Sequence, residues 1–134
     1  MHINGGCHCG YITYEAEADP ASARICHCTD CQIFSGSAFR TVVPTKGSHF
    51  KLLTGKPKTY VKTADSGNQR AQVFCPECGT HIYASSVDDQ QVIGIRAGTI
   101  RQRAQFKPQS QIWCDSAMPW VMDLNSLSKV PRQG

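Results

Sequence analysis

The sequence predicts an all-β fold in which small sheets are tied together by metal ions. Three observations point there. Short segments rich in β-branched and aromatic residues recur along the chain, turn signals separate them, and seven of the eight cysteines fall in three tight clusters. No segment holds an apolar period of about 3.6 residues through three turns, so no long amphipathic helix is expected.

In chain order, strands are expected at Tyr11–Glu15, Ala38–Val43, Lys58–Lys62, Ala71–Phe74, Thr80–Ala84 and Gln91–Arg96. Tyr11, Ile12, Thr13 and Tyr14 all favour a pleated surface, as do Phe39, Thr41, Val42 and Val43. Thr59, Tyr60 and Val61 lie between Lys58 and Lys62; Val73 and Phe74 close the fourth segment. Ile82 alternates with polar neighbours, and Val92, Ile93 and Ile95 mark the last segment. Turns are expected at Pro44–Gly47, Thr54–Pro57, Asp65–Asn68 and Asp88–Asp89, where Gly, Pro, Asn and Asp accumulate.

At 134 residues the chain forms one domain, large enough for a modest core and small enough to gain from metal staples. Residues 1–124 are expected to make that domain, and the polar stretch Asn125–Gly134, with Pro131, to be a lightly packed tail. The nearest thing to a linker is the loop Ala64–Gln69. A hydrophobic content of 40% with 18% charged residues fits a globule and excludes a disordered chain.

The formal charge is +4. Seven thiolates and two divalent ions would bring it to about +1. Arg101 and Arg103 are the closest basic pair, and no basic stripe or aromatic platform appears, so no nucleic-acid partner is expected. No basic region followed by an apolar stretch opens the chain, and no apolar run approaches transmembrane length, so neither export nor a membrane is expected. The reducing cytoplasm follows as the expected compartment, and there metal ligation is favoured over four disulfides.

The clusters are Cys7-His8-Cys9, Cys26-His27-Cys28-Thr29-Asp30-Cys31 and Cys75-Pro76-Glu77-Cys78-Gly79. Thiols one or two residues apart converge on one soft metal ion at little entropic cost. The third cluster has the form of a zinc knuckle and supplies two ligands. Cys7 and Cys9, followed by Gly10, are its natural partners in a closed four-sulfur site. Zinc is favoured there over an iron–sulfur cluster, because nothing in the chain suggests an electron-transfer partner.

The middle cluster supplies Cys26, Cys28 and Cys31 and has no obvious fourth cysteine. His27 and His8 each lie between two ligands and should point away from the metal those ligands share. Cys114, His81 and an exogenous ligand remain as candidates for the fourth position; a lone Cys beside Trp113 reads more readily as a small buried hydrophobe. An open position on three thiolates would bind a substrate thiol and lower its pKa. Ser35-Gly36-Ser37 can offer amide N–H groups and hydroxyls to a ligand, or can be a plain β-turn. Trp113 and Trp120 are candidate pocket walls, and Arg40, Arg96 and Arg101 are candidate partners for ligand carboxylates.

Gly6–Gly10 with Tyr14-Glu15, Cys26–Gln32 with Ser35–Phe39, Phe74–Thr80, Trp113 and Pro119-Trp120 together resemble the glutathione-dependent formaldehyde-activating enzyme (GFA) family, whose domain also occurs in centromere protein V. The resemblance spans roughly residues 5 to 120. It implies an Mss4-like all-β fold, a structural zinc on Cys7, Cys9, Cys75 and Cys78, and a catalytic zinc on Cys26, Cys28 and Cys31. It further implies a carbon–sulfur lyase-type activity that joins glutathione to formaldehyde as S-(hydroxymethyl)glutathione; on the residues alone, Ser35, Gly36, Ser37 and Trp113 are the candidates for binding the substrate. A non-catalytic zinc-scaffolded binding module and a thiol-based redox sensor are the rival readings. One departure stands out: where the family pattern often has His before the first tryptophan, this chain has Gln111.

Overall fold

The computed structural model describes residues 1–134 and contains ten strands and one α-helix. Three strands, β1 (His2–Gly6), β2 (Thr13–Glu17) and β5 (Phe50–Thr54), form an antiparallel sheet in the order β1-β2-β5. The other sheet has seven strands: β3 (Arg24–Cys26), β4 (Arg40–Lys46), β6 (Lys58–Thr63), β7 (Gln69–Phe74), β8 (His81–Ser86), β9 (Val92–Arg96) and β10 (Ser110–Ile112). Its order is β10-β3-β4-β9-β8-β7-β6, antiparallel throughout except for the parallel pair of β10 with β3. The fold is all-β and Mss4-like, and its cysteine clusters are placed to staple it.

All six expected strands exist, with shifted limits that have physical causes. β2 starts at Thr13, because Ile12 is taken up by the first metal loop: its carbonyl accepts from the Cys7 amide and its own N–H donates to the Cys7 sulfur. β4 runs on through Pro44, against the turn expected at Pro44–Gly47. Its neighbour β3 pairs only as far as Val42, so at Pro44 the strand has one open side, where a missing N–H costs no ladder bond.

The loop Ala64–Gln69 is no linker. It closes the β6–β7 hairpin, with Thr63 opposite Gln69 and the Ala64 amide bonded to the Asn68 carbonyl. The helix α1 (Thr29–Ser35) falls within the middle cluster and has only two turns, too few for a periodic signal.

Alternation drives the packing. In β1 and β2 every second residue turns inward, placing Ile3, Tyr14 and Ala16 in the core with Ile12, Val43, Ile82, Ile95 and Ile100. Phe50 lies 5.0 Å, centroid to centroid, from both Tyr14 and Tyr83, joining the two sheets. The Tyr14 hydroxyl reaches Thr99 Oγ1 at 2.8 Å, satisfying the one polar atom of a fully buried side chain. Gly5 passes so close to this pair that a Cβ there would meet the Thr99 carbonyl oxygen at 2.2 Å. Cys7 and Cys75 belong to the same core, so the first cysteine group is anchored directly in it.

Candidate metal centres and the adjoining cleft

The end of β1 and the turn after β7 bring Cys7, Cys9, Cys75 and Cys78 together, all four sulfurs within 4.8 Å of one another. Cys7 and Cys9 sulfurs are 3.6 Å apart, Cys9 and Cys75 sulfurs 3.8 Å. A tetrahedral shell with Zn–S bonds of about 2.3 Å sets its sulfurs roughly 3.8 Å apart, whereas a disulfide needs about 2 Å. The four cysteines are unbridged and their donor set fits a tetrahedral soft metal.

The two loops are built alike. Gly10 and Gly79 both take positive φ, +84° and +78°, and return their amides to the Cys7 and Cys75 carbonyls. Amide and hydroxyl donors surround the sulfurs: Ile12 N–H on Cys7, Glu77 N–H on Cys75, and the Thr80 hydroxyl 3.2 Å from Cys78. Thr80 also accepts from the His8 amide, bridging the loops. The Thr80 hydroxyl and amide, then the Cys9 amide, bring the Cys78 thiol down to about 5. Cys9 goes the other way, to about 12: the Tyr11 amide favours its thiolate, but burial and the neighbouring Cys7, Cys78 and Cys75 sulfurs oppose it. Four thiolates this close repel one another, and a divalent cation is what lets all four ionise together.

The second group is Cys26, Cys28 and Cys31, again with sulfurs within 4.8 Å of one another. Cys26 ends β3. Cys28 is the N-cap of α1, its sulfur accepting from the Cys31 amide at 3.2 Å, a task Ser, Thr or Asp usually performs. Cys31, one turn on, is buried. Arg40 reaches in from β4, opposite Cys26 in the β3–β4 register, and Nη2 donates to the Cys31 sulfur at 3.0 Å. Burial works against the Cys28 thiolate, yet hydrogen bonds from Cys31 and the Arg40 charge lower its pKa overall. Burial first, then Cys28, push Cys31 up to about 12 against the pull of Arg40. Three soft donors in this spacing fit a metal ion that keeps one position free.

No other side chain joins this group. His27 turns away from it to Gln111, Nε2 to Oε1 at 2.8 Å, and packs edge-on against Phe39. His8 is exposed. Cys114 is exposed as well, contrary to its reading as a small buried hydrophobe: it opens a short 3-10 turn that keeps it at the surface, its sulfur 3.8 Å from the Gln111 carbonyl. His81 lies between Phe34 and Phe74, ring centroids 5.7 and 5.5 Å away.

Ser35, Gly36 and Ser37 end α1. Gly36 at φ +62° is its C-cap and returns its amide to the helix, while the Ser35 hydroxyl donates to the Gln32 and Phe39 carbonyls. The segment is thus a helix cap, and it divides between two concavities. Gly36 and Ser37 border a shallow groove with Ile33, Met118 and Trp120. Ser35 borders a cleft of about 400 Å³ with Arg40, Thr80, His81 and Arg96. Trp113 lines neither; it is 65% exposed, held in the left-handed region at φ 58°. Arg101 is exposed and lies outside the cleft.

The cleft is where spatial information exceeds the sequence. Arg40, Arg96 and Arg101 could not be ranked from the chain alone, and the Arg40–Cys31 contact arises from strand register. Thr80 and Phe34 had no signal beyond adjacency to a cysteine cluster.

A crystal structure of a Rhodobacter sphaeroides protein superimposes with a TM-score of 0.62 at 18% identity, over 81% of this chain and 98% of that one. At that identity the likeness concerns the fold. The family model described as glutathione-dependent formaldehyde-activating enzyme matches residues 2–116, which takes in both cysteine groups, Arg40, His81 and Arg96. The chain belongs to the glutathione-dependent formaldehyde-activating enzyme family.

Proposed function

We propose that the chain is a zinc-dependent enzyme of carbon–sulfur lyase type, adding a thiol cosubstrate such as glutathione to a small aldehyde such as formaldehyde. The observation that carries this reading is the three-sulfur group Cys26, Cys28 and Cys31 with no fourth protein ligand, beside a cleft. Cys7, Cys9, Cys75 and Cys78 take the structural role, since two of them lie in the core and together they tie residue 7 to residue 78. The expected setting is the cytoplasm, where thiols stay reduced; no helix is long and apolar enough to cross a membrane.

Zinc on Cys26, Cys28 and Cys31 would supply a thiophilic Lewis-acid position. The chain's own part is to shape and charge the surroundings. Phe34 and Phe39 give the cleft part of its wall, and Arg40 and Arg96 make it cationic, favouring a thiolate and any negative charge gathering on a carbonyl oxygen. In the reaction the sulfur lone pair forms the new C–S bond, the C=O π pair moves onto oxygen, and the proton lost by the thiol ends there. The product is a hemithioacetal, and no oxidant or reductant is needed. Gln32 fixes α1 by donating to the His27 and Ser116 carbonyls at 2.8 and 3.0 Å, holding Cys28 and Cys31 in place.

The binding-module reading has one observation in its favour, the exposure of Trp113, Trp120, Met122, Leu127 and Val130 in the last quarter of the chain. Titration of the zinc-loaded protein with glutathione and then formaldehyde separates the two. Faster formation of S-(hydroxymethyl)glutathione than in buffer is expected. Loss of that acceleration in Cys31→Ser ties it to the middle group, and no acceleration at all in the zinc-loaded protein sinks the enzyme reading.

A further inference from the structure

The cleft beside the middle cysteines is charged in one sense. Arg40, His81 and Arg96 line it, and no Asp or Glu does. Neither arginine appears in any of the four ion pairs of the molecule. Arg96 is only 7% exposed, and its hydrogen bonds go to neutral acceptors, Nη2 to Gln72 Oε1 at 3.0 Å and Nη1 to the Gly94 carbonyl at 3.2 Å. Its Nε has no partner; nor have Arg40 Nε and Nη1, nor His81 Nδ1.

Each buried donor left unpaired keeps its full desolvation penalty, a larger one when the group is charged. Burial, then the Arg40 charge, hold Arg96 at about 9, far below an ordinary guanidinium. Guanidinium groups nonetheless keep their proton in proteins. Three thiolates on a divalent ion carry one net negative charge, and they face two guanidinium groups. Before any reactant binds, one positive charge is left over, on guanidinium groups whose unpaired nitrogens are buried.

We propose that this cleft is a carboxylate-binding site, in which the Arg40 and Arg96 guanidiniums seat the carboxylate of a small organic acid next to the Cys26–Cys28–Cys31 centre. A planar carboxylate matches the guanidinium fork, which still has free donors in Arg40 Nε and Nη1 and Arg96 Nε. Phe34 and Phe39 stand beside the pair as apolar wall. The unpaired nitrogens are closed off from solvent, so seating an acceptor on them requires a side-chain shift. The inference rests on reading the middle cluster as a metal site, and it adds a requirement to the proposed reaction: one reactant brings a carboxylate. Either the thiol or the carbonyl compound can carry it.

The test uses the zinc-loaded full chain and calorimetry with two probes, S-methylglutathione, whose sulfur is blocked, and glyoxylate, a small aldehyde with its own carboxylate. At least one is expected to bind, about tenfold or more weaker in Arg40→Gln and in Arg96→Gln, as loss of a charge-assisted pair implies. Binding of S-methylglutathione alone assigns the carboxylate to the thiol, and binding of glyoxylate alone assigns it to the carbonyl partner. Because Arg96 is a buried partner of Gln72 and its replacement threatens folding, Arg40→Gln is the deciding variant, with zinc content checked by elemental analysis. If neither probe binds, or if every probe that binds the parent binds Arg40→Gln equally well, the proposal is overturned. Should glutathione still outbind S-methylglutathione in that case, the thiol reading survives alone. Arginine-dependent binding with no advantage for glutathione leaves the carboxylate site standing and removes the thiol reading.

Discussion

The His27 imidazole and the Gln111 carboxamide meet at 2.8 Å, Nε2 to Oε1, across the parallel pair of β3 and β10. With the carboxamide oxygen as acceptor, Nε2 carries the ring proton, and Nδ1 stays buried without a partner. Gln111 thus serves the partner of a buried histidine and gives no ligand to the cysteine group. Gln111→Ala should leave both ring nitrogens of a 1% exposed residue unpaired and cost about 1–3 kcal/mol in chemical denaturation. A change within about 0.5 kcal/mol, the range of ordinary surface substitutions, would show that the contact is not made.

Metal content is the most direct test of the two cysteine groups. Freshly purified, reduced protein should hold close to two zinc ions per chain, one for each group of thiols. Elemental analysis finding iron, together with visible absorbance, would reject zinc.

The two groups should fail differently. Cys78→Ser breaks a shell anchored in the core by Cys7 and Cys75, so folding should suffer and circular dichroism should show a lost or lowered transition. Cys31→Ser should leave a folded chain with one zinc ion and no activity. Equal unfolding of the two variants would remove the division into structural and reactive centres.

A thiol at the middle centre should bind as thiolate, so proton and metal compete for one sulfur. Affinity for glutathione should fall as pH drops, because protonation of the ligand sulfur takes away the form that binds. S-methylglutathione should lack that dependence and bind more weakly. Zinc-edge spectroscopy showing a fourth sulfur with glutathione but not with its S-methyl ether would secure the assignment; identical affinities and spectra would refute it.

Gly5 offers a test that owes nothing to metal. A Cβ there would stand 2.2 Å from the Thr99 oxygen and 2.6 Å from the Tyr14 hydroxyl oxygen, one a backbone atom and the other pinned in the core. Gly5→Ala should therefore destabilise by about 1–3 kcal/mol or more through overpacking. An unchanged denaturation midpoint would mean that the β1–Thr99 approach is wider than described.

Much of this molecule was legible in its sequence because the decisive signals are local. Cysteines one to three residues apart announce chelation, and Val, Ile, Thr and aromatic runs announce strands whatever their partners. The parts that could not be read depend on partners. β3 and β10 have three residues each, too short to carry a pattern, and exist because they pair with each other and β3 with β4. β1 contains Asn4, Gly5 and Gly6, poor strand formers kept extended by five register pairs with β2. α1 is capped by a sulfur where an oxygen is the usual sign. Arg40 comes to Cys31 through the pairing of residue 40 with residue 26, which no window of sequence contains.

The two cysteine groups also differ in how much chain they enclose, and that sets a timetable. The middle three lie within six residues, so a nascent chain can chelate metal there soon after Cys31 leaves the ribosome, with no fold in place. Metal bound this early is held by the unfolded chain as well, so it adds little to the stability of the fold. The outer four must wait for Cys78, some seventy residues after Cys7, and for the loop between them to close. When metal is scarce, newly made chains should accumulate with the middle group filled and the outer one empty, and stay exposed to proteolysis until a second ion arrives.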